Sequence, residues 1–340
     1  MRCGQALNAA LHEVMAERED VYLLGEDVLD PYGGAFKITA GLSDRFGGRV
    51  TTTPISEAAL IGVATGMALR GLRPIVEIVF GDFIALGFDQ LLNSATKFGA
   101  IGGGAPVPLV VRAPMGGRRG YGATHSQSLE KHLLGIPHLR LLAASECHDL
   151  AAMLRGAVDD PGPVVLIENK LMYGRPTRQP VDGWIDEFAC RTTGGPWPAL
   201  TLSGNGFGPA AATIVAYGGM APLAIDAATE LVLEHEVFTE VVLLGQLLPL
   251  ELDAVVESVG RTGALVTAEE GTLTGGIGAE IAARVGELAW DALRGPVRRV
   301  AARDTVVPAA PALEAAMLPQ ASELVDEVLE LVGARTGSLR

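Results

Sequence analysis

Short aliphatic, β-branched runs alternate with helix-patterned stretches along nearly the whole chain, and that alternation leaves few ways to fold. VYLLG (21–25), IVEIVF (75–80), PLVVR (108–112), LRLLAA (139–144) and PVVLIE (163–168) read as strands. Helical patterns occupy 5–17, 57–69, 83–98 and 147–158. A helix-length connection returns the chain to start a parallel neighbour, whereas an antiparallel pair needs only a tight turn. Strands that are apolar throughout are buried on both faces, so helices must cover both sides of the sheet.

The rhythm breaks at YGRPTRQPVDGWIDEFACRTTGGPWPALTLSGNGFGP, a stretch rich in Gly, Pro and Thr. A second series follows: ATIVAYG, a helix near 221–234, VFTEVVLL, a helix near 249–259, GALVTAEEG, a helix from about 278, PVRRVAA and a terminal helix. The expected fold class is therefore α/β, with two consecutive open parallel-sheet domains. Residues 1–180 form the first domain, 181–210 a linker with room for a local hairpin, and 211–340 the second. A chain of 340 residues is also longer than one ordinary core sustains.

Composition narrows the class of partner. A formal net charge of −14 argues against nucleic acid or an anionic membrane, since either selects a basic surface. The three cysteines, Cys3, Cys147 and Cys190, lie far apart and make neither a zinc pattern nor a secreted disulfide framework. The first twenty residues read as an amphipathic helix rather than a signal peptide, and no apolar run reaches membrane-spanning length without interruption. These features place the chain in a reducing cytoplasm.

The glycine-rich stretches fail as nucleotide fingerprints. GTLTGGIGAE (271–280) opens a helix after a strand, but Gly276 is followed by Ile277 and Gly278 instead of Lys and Ser/Thr. GNGFG (204–208) precedes its strand, the reverse of the required order. Both are read as turns.

Glu57 is the single charged group between Arg49 and Arg70. Two readings of it stand. Ser56 can cap the helix and a first-turn acid suits the helix dipole, which makes Glu57 an ordinary exposed residue. Alternatively, the following AALIGVATGMALRG is apolar on nearly every face, which predicts a helix buried all round with a partly desolvated carboxylate at its start. Such a carboxylate can share a proton with a ligand nitrogen. His125 lies in MGGRRGYGATHSQSLEKH, a basic glycine-rich loop whose Thr, Ser and Gln can orient an imidazole toward a carbonyl. Phe80 and Phe83 fall at the carboxyl end of a strand, where open α/β sheets bind ligands and a ring can stack on one.

These stretches, taken in order, resemble the β subunit of the thiamine-diphosphate-dependent 2-oxo acid dehydrogenases, the decarboxylating component, within the transketolase-like superfamily. The resemblance runs through LLGEDV, GGAFKITAGL, TPISEAALIGVATGMALRGLRPIVEI, GDFIALGFDQLLNSATK, VPLVVRAPMGGRRGYGATHSQSLEKHLLGIP, DDPGPVVLIENKLMYG and LVTAEEGTLTGGIGAEIAARV. It implies that Glu57, the acid of TPISE, hydrogen-bonds the ring nitrogen of the cofactor's aminopyrimidine and so promotes loss of the thiazolium proton. It implies that Phe83 stacks on that ring and that Ile55 lines its pocket. Glu26 matches an acid of the channel between active sites, and His125 an imidazole facing the substrate. Leu109, Ala157, Val158 and Asp160 match positions holding a structural monovalent cation, K+, mainly through backbone carbonyls; Gly162 stands where the family often has Asn.

The family's diphosphate and Mg2+ site needs a GDG motif with a downstream NN, and this sequence contains neither. The resemblance therefore implies a separate α subunit carrying that half, in an α₂β₂ heterotetramer, with a 2-oxo acid as substrate and a lipoyl-bearing acyltransferase as acceptor. Departures gather in the second domain: LLGQLLPLELDAVVESV lacks the usual DLR, RVAARDTVVPAAPALE is altered, and the linker is long. They keep open a second function, a two-chain enzyme that passes the activated aldehyde to another carbonyl. A non-catalytic scaffold subunit and an NAD-linked dehydrogenase are the remaining alternatives.

Overall fold

The computed structural model describes residues 1–204 and 208–337. The glycine stretch 204–208 therefore lies largely outside the described residues. Contacts divide the chain into two units, one made of 1–116, 132–177 and 247–249, the other of 117–131, 178–246 and 250–340.

In the first unit, α1 (Cys3–Glu17) buries Cys3, Ala6, Leu7, Ala10, Leu11, Val14 and Met15, one helical stripe of small and aliphatic side chains. The strands that follow are β1 (Val21–Gly25), β2 (Val50–Thr52), β3 (Arg73–Glu77), β4 (Val110–Met115), β5 (Arg140–Ala144) and β6 (Val164–Asn169). Helices α2 (Leu42–Phe46), α3 (Glu57–Leu69), α4 (Thr96–Ile101) and α5 (Leu150–Asp159) connect them. Strands β1 to β6 pair in parallel, in the order β5-β6-β4-β3-β1-β2. The order explains where a ligand can enter. The loop leaving β1 runs toward β2 and the loop leaving β3 runs toward β4, so a crevice opens beyond the carboxyl ends of β1 and β3.

Beneath that edge lies a buried charge network. Glu77 and Arg112 are directly paired residues of β3 and β4, so their side chains leave the same face. Arg112 Nη1 donates to Glu77 Oε2 at 2.5 Å, while its Nε and Nη2 grip Glu168 at 2.9 and 2.7 Å. Tyr173 Oη also donates to Glu168, at 2.6 Å. Burial works against the Arg112 charge, but the Glu168 and Glu77 carboxylates outweigh it and raise its pKa. Burial likewise pushes the Glu77 carboxyl up, against the pull of Arg112.

Two expectations for this unit need correction. The helix read at 83–98 is three short pieces: a 3-10 segment at Gly81–Gly87, a π-helix at Gln90–Ala95, and α4. Close packing dictates the break, since a Cβ on Gly81 would lie 2.2 Å from Met115 Cγ and 3.0 Å from the Pro114 oxygen. Further on, Thr96 Oγ1 donates to the Leu91 and Leu92 carbonyls at 3.1 and 3.0 Å. Secondly, α3 is not buried all round within this chain. It buries Glu57, Leu60, Ile61, Ala64, Thr65 and Ala68, but Val63 is 57% exposed and Leu69 41%. Nothing in its own unit covers that apolar side.

The second unit carries β7 (Trp184–Ile185), β8 (Phe188–Thr192), β9 (Leu200–Gly204), β10 (Ala212–Tyr217), β11 (Thr239–Leu244), β13 (Leu265–Thr272) and β14 (Arg298–Ala302). Between β11 and β13, β12 (Gln246–Leu248) joins the first sheet beside β5. The second sheet runs β14-β13-β10-β11-β9-β8-β7, parallel from β14 to β11 and antiparallel from β11 to β7. It is thus mixed, the expected parallel strands being extended at one edge by antiparallel ones. The antiparallel part comes from the stretch read as a linker, whose Gly, Pro and Thr content conceals three strands. Helices α6 (Ala221–His235), α7 (Asp253–Thr262), α8 (Ile277–Leu288), α9 (Pro311–Met317) and α10 (Ala321–Gly337) complete the unit. Among the described residues, no helix is long and apolar enough to cross a membrane.

Candidate active site

In the first unit, Glu26 follows β1, Glu57 opens α3 after β2, and Phe80 and Phe83 follow β3. All belong to the loops that border the crevice. Glu57 is 3% exposed. Ser56 stands at the cap position, yet makes no side-chain capping bond, so the ordinary surface-cap reading of this turn fails. Gly87 allows the 3-10 segment to pack here: a Cβ on it would stand 3.5 Å from the Glu57 carbonyl oxygen and 2.3 Å from Ile61 Cδ1.

Glu26 is the second acid of the site. Burial raises its pKa, the neighbouring Glu57 charge raises it further, and the Ser56 backbone N–H pulls it back. Its Oε1 is buried without a hydrogen-bond partner. A buried acceptor left bare is costly, and it marks a place where a donor from outside this chain fits.

Phe83 is half-buried and meets Phe80 edge-on, with centroids 6.3 Å apart and rings at 76°. The contact continues from Phe80 to Phe36 at 5.5 Å and from Phe36 to Tyr173 at 5.4 Å. Lys170 Nζ stands 5.4 Å from the Phe80 centroid. The chain of rings thus ends on the tyrosine that donates to Glu168, so Phe83 is braced by the buried charge network. Ile55 is 85% exposed, an apolar side chain held out beside the acid. Two placed carboxyls, one bare acceptor and a braced aromatic fit a flat, nitrogen-bearing heterocycle such as a pyrimidine.

The candidate cation positions lie elsewhere in the first unit. Arg73 Nη1 donates to the Val158 carbonyl and, at 3.4 Å, to that of Asp160. The Asp160 carboxylate is taken by Arg140 Nε at 2.6 Å and the Gly162 N–H at 2.8 Å. Leu109 O accepts from the Val164 N–H at 2.7 Å, and Ala157 is buried at the end of α5. The Val158 oxygen thus accepts from a guanidinium with one of its lone pairs. Among the described residues, no group of three or more His, Cys, Asp and Glu is placed to hold a metal ion.

His125 belongs by its contacts to the second unit. It is half-buried, its Nδ1 lies 2.9 Å from Thr124 Oγ1, and its N–H donates to the Gly122 carbonyl at 3.3 Å. Around its loop stand four acids that the sequence pattern did not single out: Glu130, Glu269, Glu270 and Glu314, all buried. The available signal was an acid embedded in an apolar run, as in VTAEEG and PALEAAM. Glu130 Oε1 accepts from Tyr217 Oη at 2.8 Å, and its Oε2 is buried without a partner. Burial pushes the Glu130 carboxyl up to about 7, helped by Glu269 and Glu270 and opposed by its own backbone N–H and Tyr217.

That shift has a stability consequence with a definite sign. Between the ordinary 4.5 and about 7 the unfolded chain gives up this proton while the folded chain keeps it. Stability is thus fully retained below 4.5 and falls as pH rises toward 7. Glu130→Gln removes the loss and keeps the acceptor for Tyr217. The variant is expected to match the parent near pH 5 and to exceed it by roughly 3 kcal/mol near pH 8 in denaturant titrations. Parallel pH profiles for the two proteins would refute this.

The fold defines a two-domain, transketolase-like α/β protein. The sequence matches the family "Transketolase, pyrimidine binding domain" over residues 1–176 and "Transketolase, C-terminal domain" over 210–324. It is 37% identical over 330 residues to the pyruvate dehydrogenase E1 component subunit beta of Rhizobium meliloti, covering 96% of this chain and 69% of that protein. The subunit of the same name from Leifsonia xyli is 39% identical over 334 residues, covering 96% and 92%. The β subunit of an acetoin:2,6-dichlorophenolindophenol oxidoreductase from Cupriavidus necator is 35% identical over 329 residues, covering 94% of each chain. In fold, the chain resembles a split-gene transketolase described as an inactive β4 tetramer, with a TM-score of 0.74, 24% identity, and 96% and 97% of the two chains covered. The chain belongs to the family of β subunits of the thiamine-diphosphate-dependent 2-oxo acid dehydrogenases.

Proposed function

We propose that this chain supplies the pyrimidine half of a thiamine diphosphate site in a 2-oxo acid decarboxylating dehydrogenase, with Glu57 as the residue that moves the cofactor's activating proton. The observation that carries the reading is the buried Glu57 carboxyl beside Glu26, whose buried Oε1 has no partner among the described residues. Bound thiamine diphosphate supplies the electron sink for loss of carbon dioxide. Glu57 presents its carboxyl to the pyrimidine ring nitrogen as the proton-transfer group, beside Glu26, whose own carboxyl is raised by burial and then by the Glu57 charge. Phe83 fixes the plane of the ring, and Ile55 walls the pocket against water. His125 faces the substrate and the acyl acceptor.

The diphosphate and its Mg2+ belong, on this reading, to a separate α subunit in an α₂β₂ assembly, whose surface covers the apolar side of α3 bearing Val63 and Leu69. The second domain pairs subunits and receives the lipoyl-bearing acyltransferase. Leu109, Ala157, Val158 and Asp160 would hold a monovalent ion such as K+, the carbonyls of the last two being shared with Arg73. The test is co-expression with a GDG…NN chain, followed by a panel of 2-oxo acids and both lipoamide and dye acceptors. Decarboxylation that needs both chains supports the assignment; full activity from either chain alone removes it.

A second reading has support of its own. The Cupriavidus relative is named for acetoin and a dye acceptor, and the departures from family pattern lie in the second domain. On that reading the activated aldehyde is exchanged with a second carbonyl. Carbon–carbon bond formation or acetoin cleavage without lipoamide turnover would favour it.

A further inference from the structure

Within the second unit, backbone amides of the loop before His125 fasten it to two buried carboxylates. The Gly117 N–H donates to Glu270 Oε1 at 2.5 Å. The Arg118 and Gly120 N–H groups donate to Glu314 Oε1 and Oε2, at 2.8 and 2.9 Å. One carboxylate thus receives two amides from the same turn, and a second carboxylate takes the amide before them. Arg118 and Gly120 both have left-handed backbones, with φ of 69° and 68°. Such a turn aims successive N–H groups at one point and makes an anion-binding concavity. For Arg118 the conformation is strained, and it persists only where the surroundings enforce it.

The surroundings are close. A Cβ on Gly117 would stand 2.7 Å from Leu318 Cδ1 and 3.0 Å from Glu314 Oε1. A Cβ on Gly122 would stand 3.3 Å from that of Ala309. Arg118 Nη2 also donates to the Pro319 carbonyl. Glu314 is 3% exposed, on α9, and Glu270 is buried on β13. A buried carboxylate needs several donors, and here backbone amides provide them as charge-assisted bonds.

We infer that Glu314, seconded by Glu270, is a positioning residue that locks the turn at 117–120 and thereby sets the place of His125. The catalytic half of this inference rests on the role proposed for His125; the mechanical half does not. A reacting imidazole must be held to about half an ångström, and a glycine-rich loop does not hold itself.

The test measures hydrogen–deuterium exchange of the loop amides in the full-length chain, alongside kinetics of the complex with its α subunit. Glu314→Ala is expected to speed exchange at Arg118 and Gly120 by about tenfold or more, the loss of one charge-assisted bond each. Glu314→Gln keeps one acceptor oxygen, so it should accelerate one of the two amides and spare the other. The positioning role predicts a fall in kcat with KM for the 2-oxo acid nearly constant, partly restored in the glutamine variant. If the alanine variant does not fold, the glutamine variant carries both readouts. Unchanged loop exchange in a folded variant overturns the lock. Faster exchange with unchanged kcat upholds the lock and overturns the role of His125.

Discussion

Glu57→Gln, assembled with its diphosphate-binding partner, is expected to lose about 10²–10⁴ of its decarboxylation rate, the range over which a placed proton-transfer group contributes. The substitution is nearly isosteric, so α3 should keep its helix and the complex its composition. A glutamine can still hydrogen-bond a ring nitrogen, but it has no proton to lend and no charge to compensate. Its effect should therefore fall on kcat far more than on cofactor affinity. A second signature follows from the coupling between the two acids. Glu57 raises the pKa of Glu26, so removing the Glu57 charge should bring Glu26 down toward its ordinary value. Stopped-flow decarboxylation with a dye acceptor reads the first effect, and carboxyl-resolved NMR the second. Retention of near-full activity would reduce the chain to a scaffold and end the proposal.

The residues that make this prediction were legible because their signals are local. TPISE followed by an apolar run marks a helix start with an acid on it, and the structure begins α3 at Glu57. The strand-and-helix rhythm was equally readable, since alternation of apolar strands with helices needs no tertiary information. What stayed hidden depends on contacts distant in sequence. The break of 83–98 into 3-10, π and α pieces follows from the approach of Gly81 to Met115 and of Gly87 to Ile61. The strands of 184–204 carry Gly, Pro and Thr in place of the aliphatic runs that announce strands. The strand that ties them to the rest of the second sheet, β11, pairs with β9 and comes later in the chain. Glu314 lies in a short helix almost two hundred residues beyond the turn it fastens, and no spacing rule connects them. Orphaned oxygens, such as Glu26 Oε1, exist only once the chain has folded.

Arg112 is the residue most misread by hydropathy. By sequence it ends the strand PLVVR, yet it sits mid-strand in β4, fully buried, between Glu77 and Glu168. Arg112→Met is expected to cost about 3–5 kcal/mol, because it strands two carboxylates away from water with no countercharge. The loss should appear as a lower midpoint in denaturant and a further shift of Glu77, already raised by burial, toward the protonated form once the pull of Arg112 is gone. Replacing the whole set tells a different story. The concerted variant Glu77→Leu, Arg112→Met, Glu168→Leu removes the charges together and should recover most of the lost stability, leaving Tyr173 Oη without the acceptor it has on Glu168. Stability recovered this way would nonetheless come at a cost to the site. Tyr173 braces Phe36, Phe36 braces Phe80, and Phe80 meets Phe83 edge-on. A chain that folds well but binds cofactor loosely is thus the expected phenotype of the triple variant. If Arg112→Met unfolds at the parent's midpoint, the network holds neither the sheet nor the rings above it.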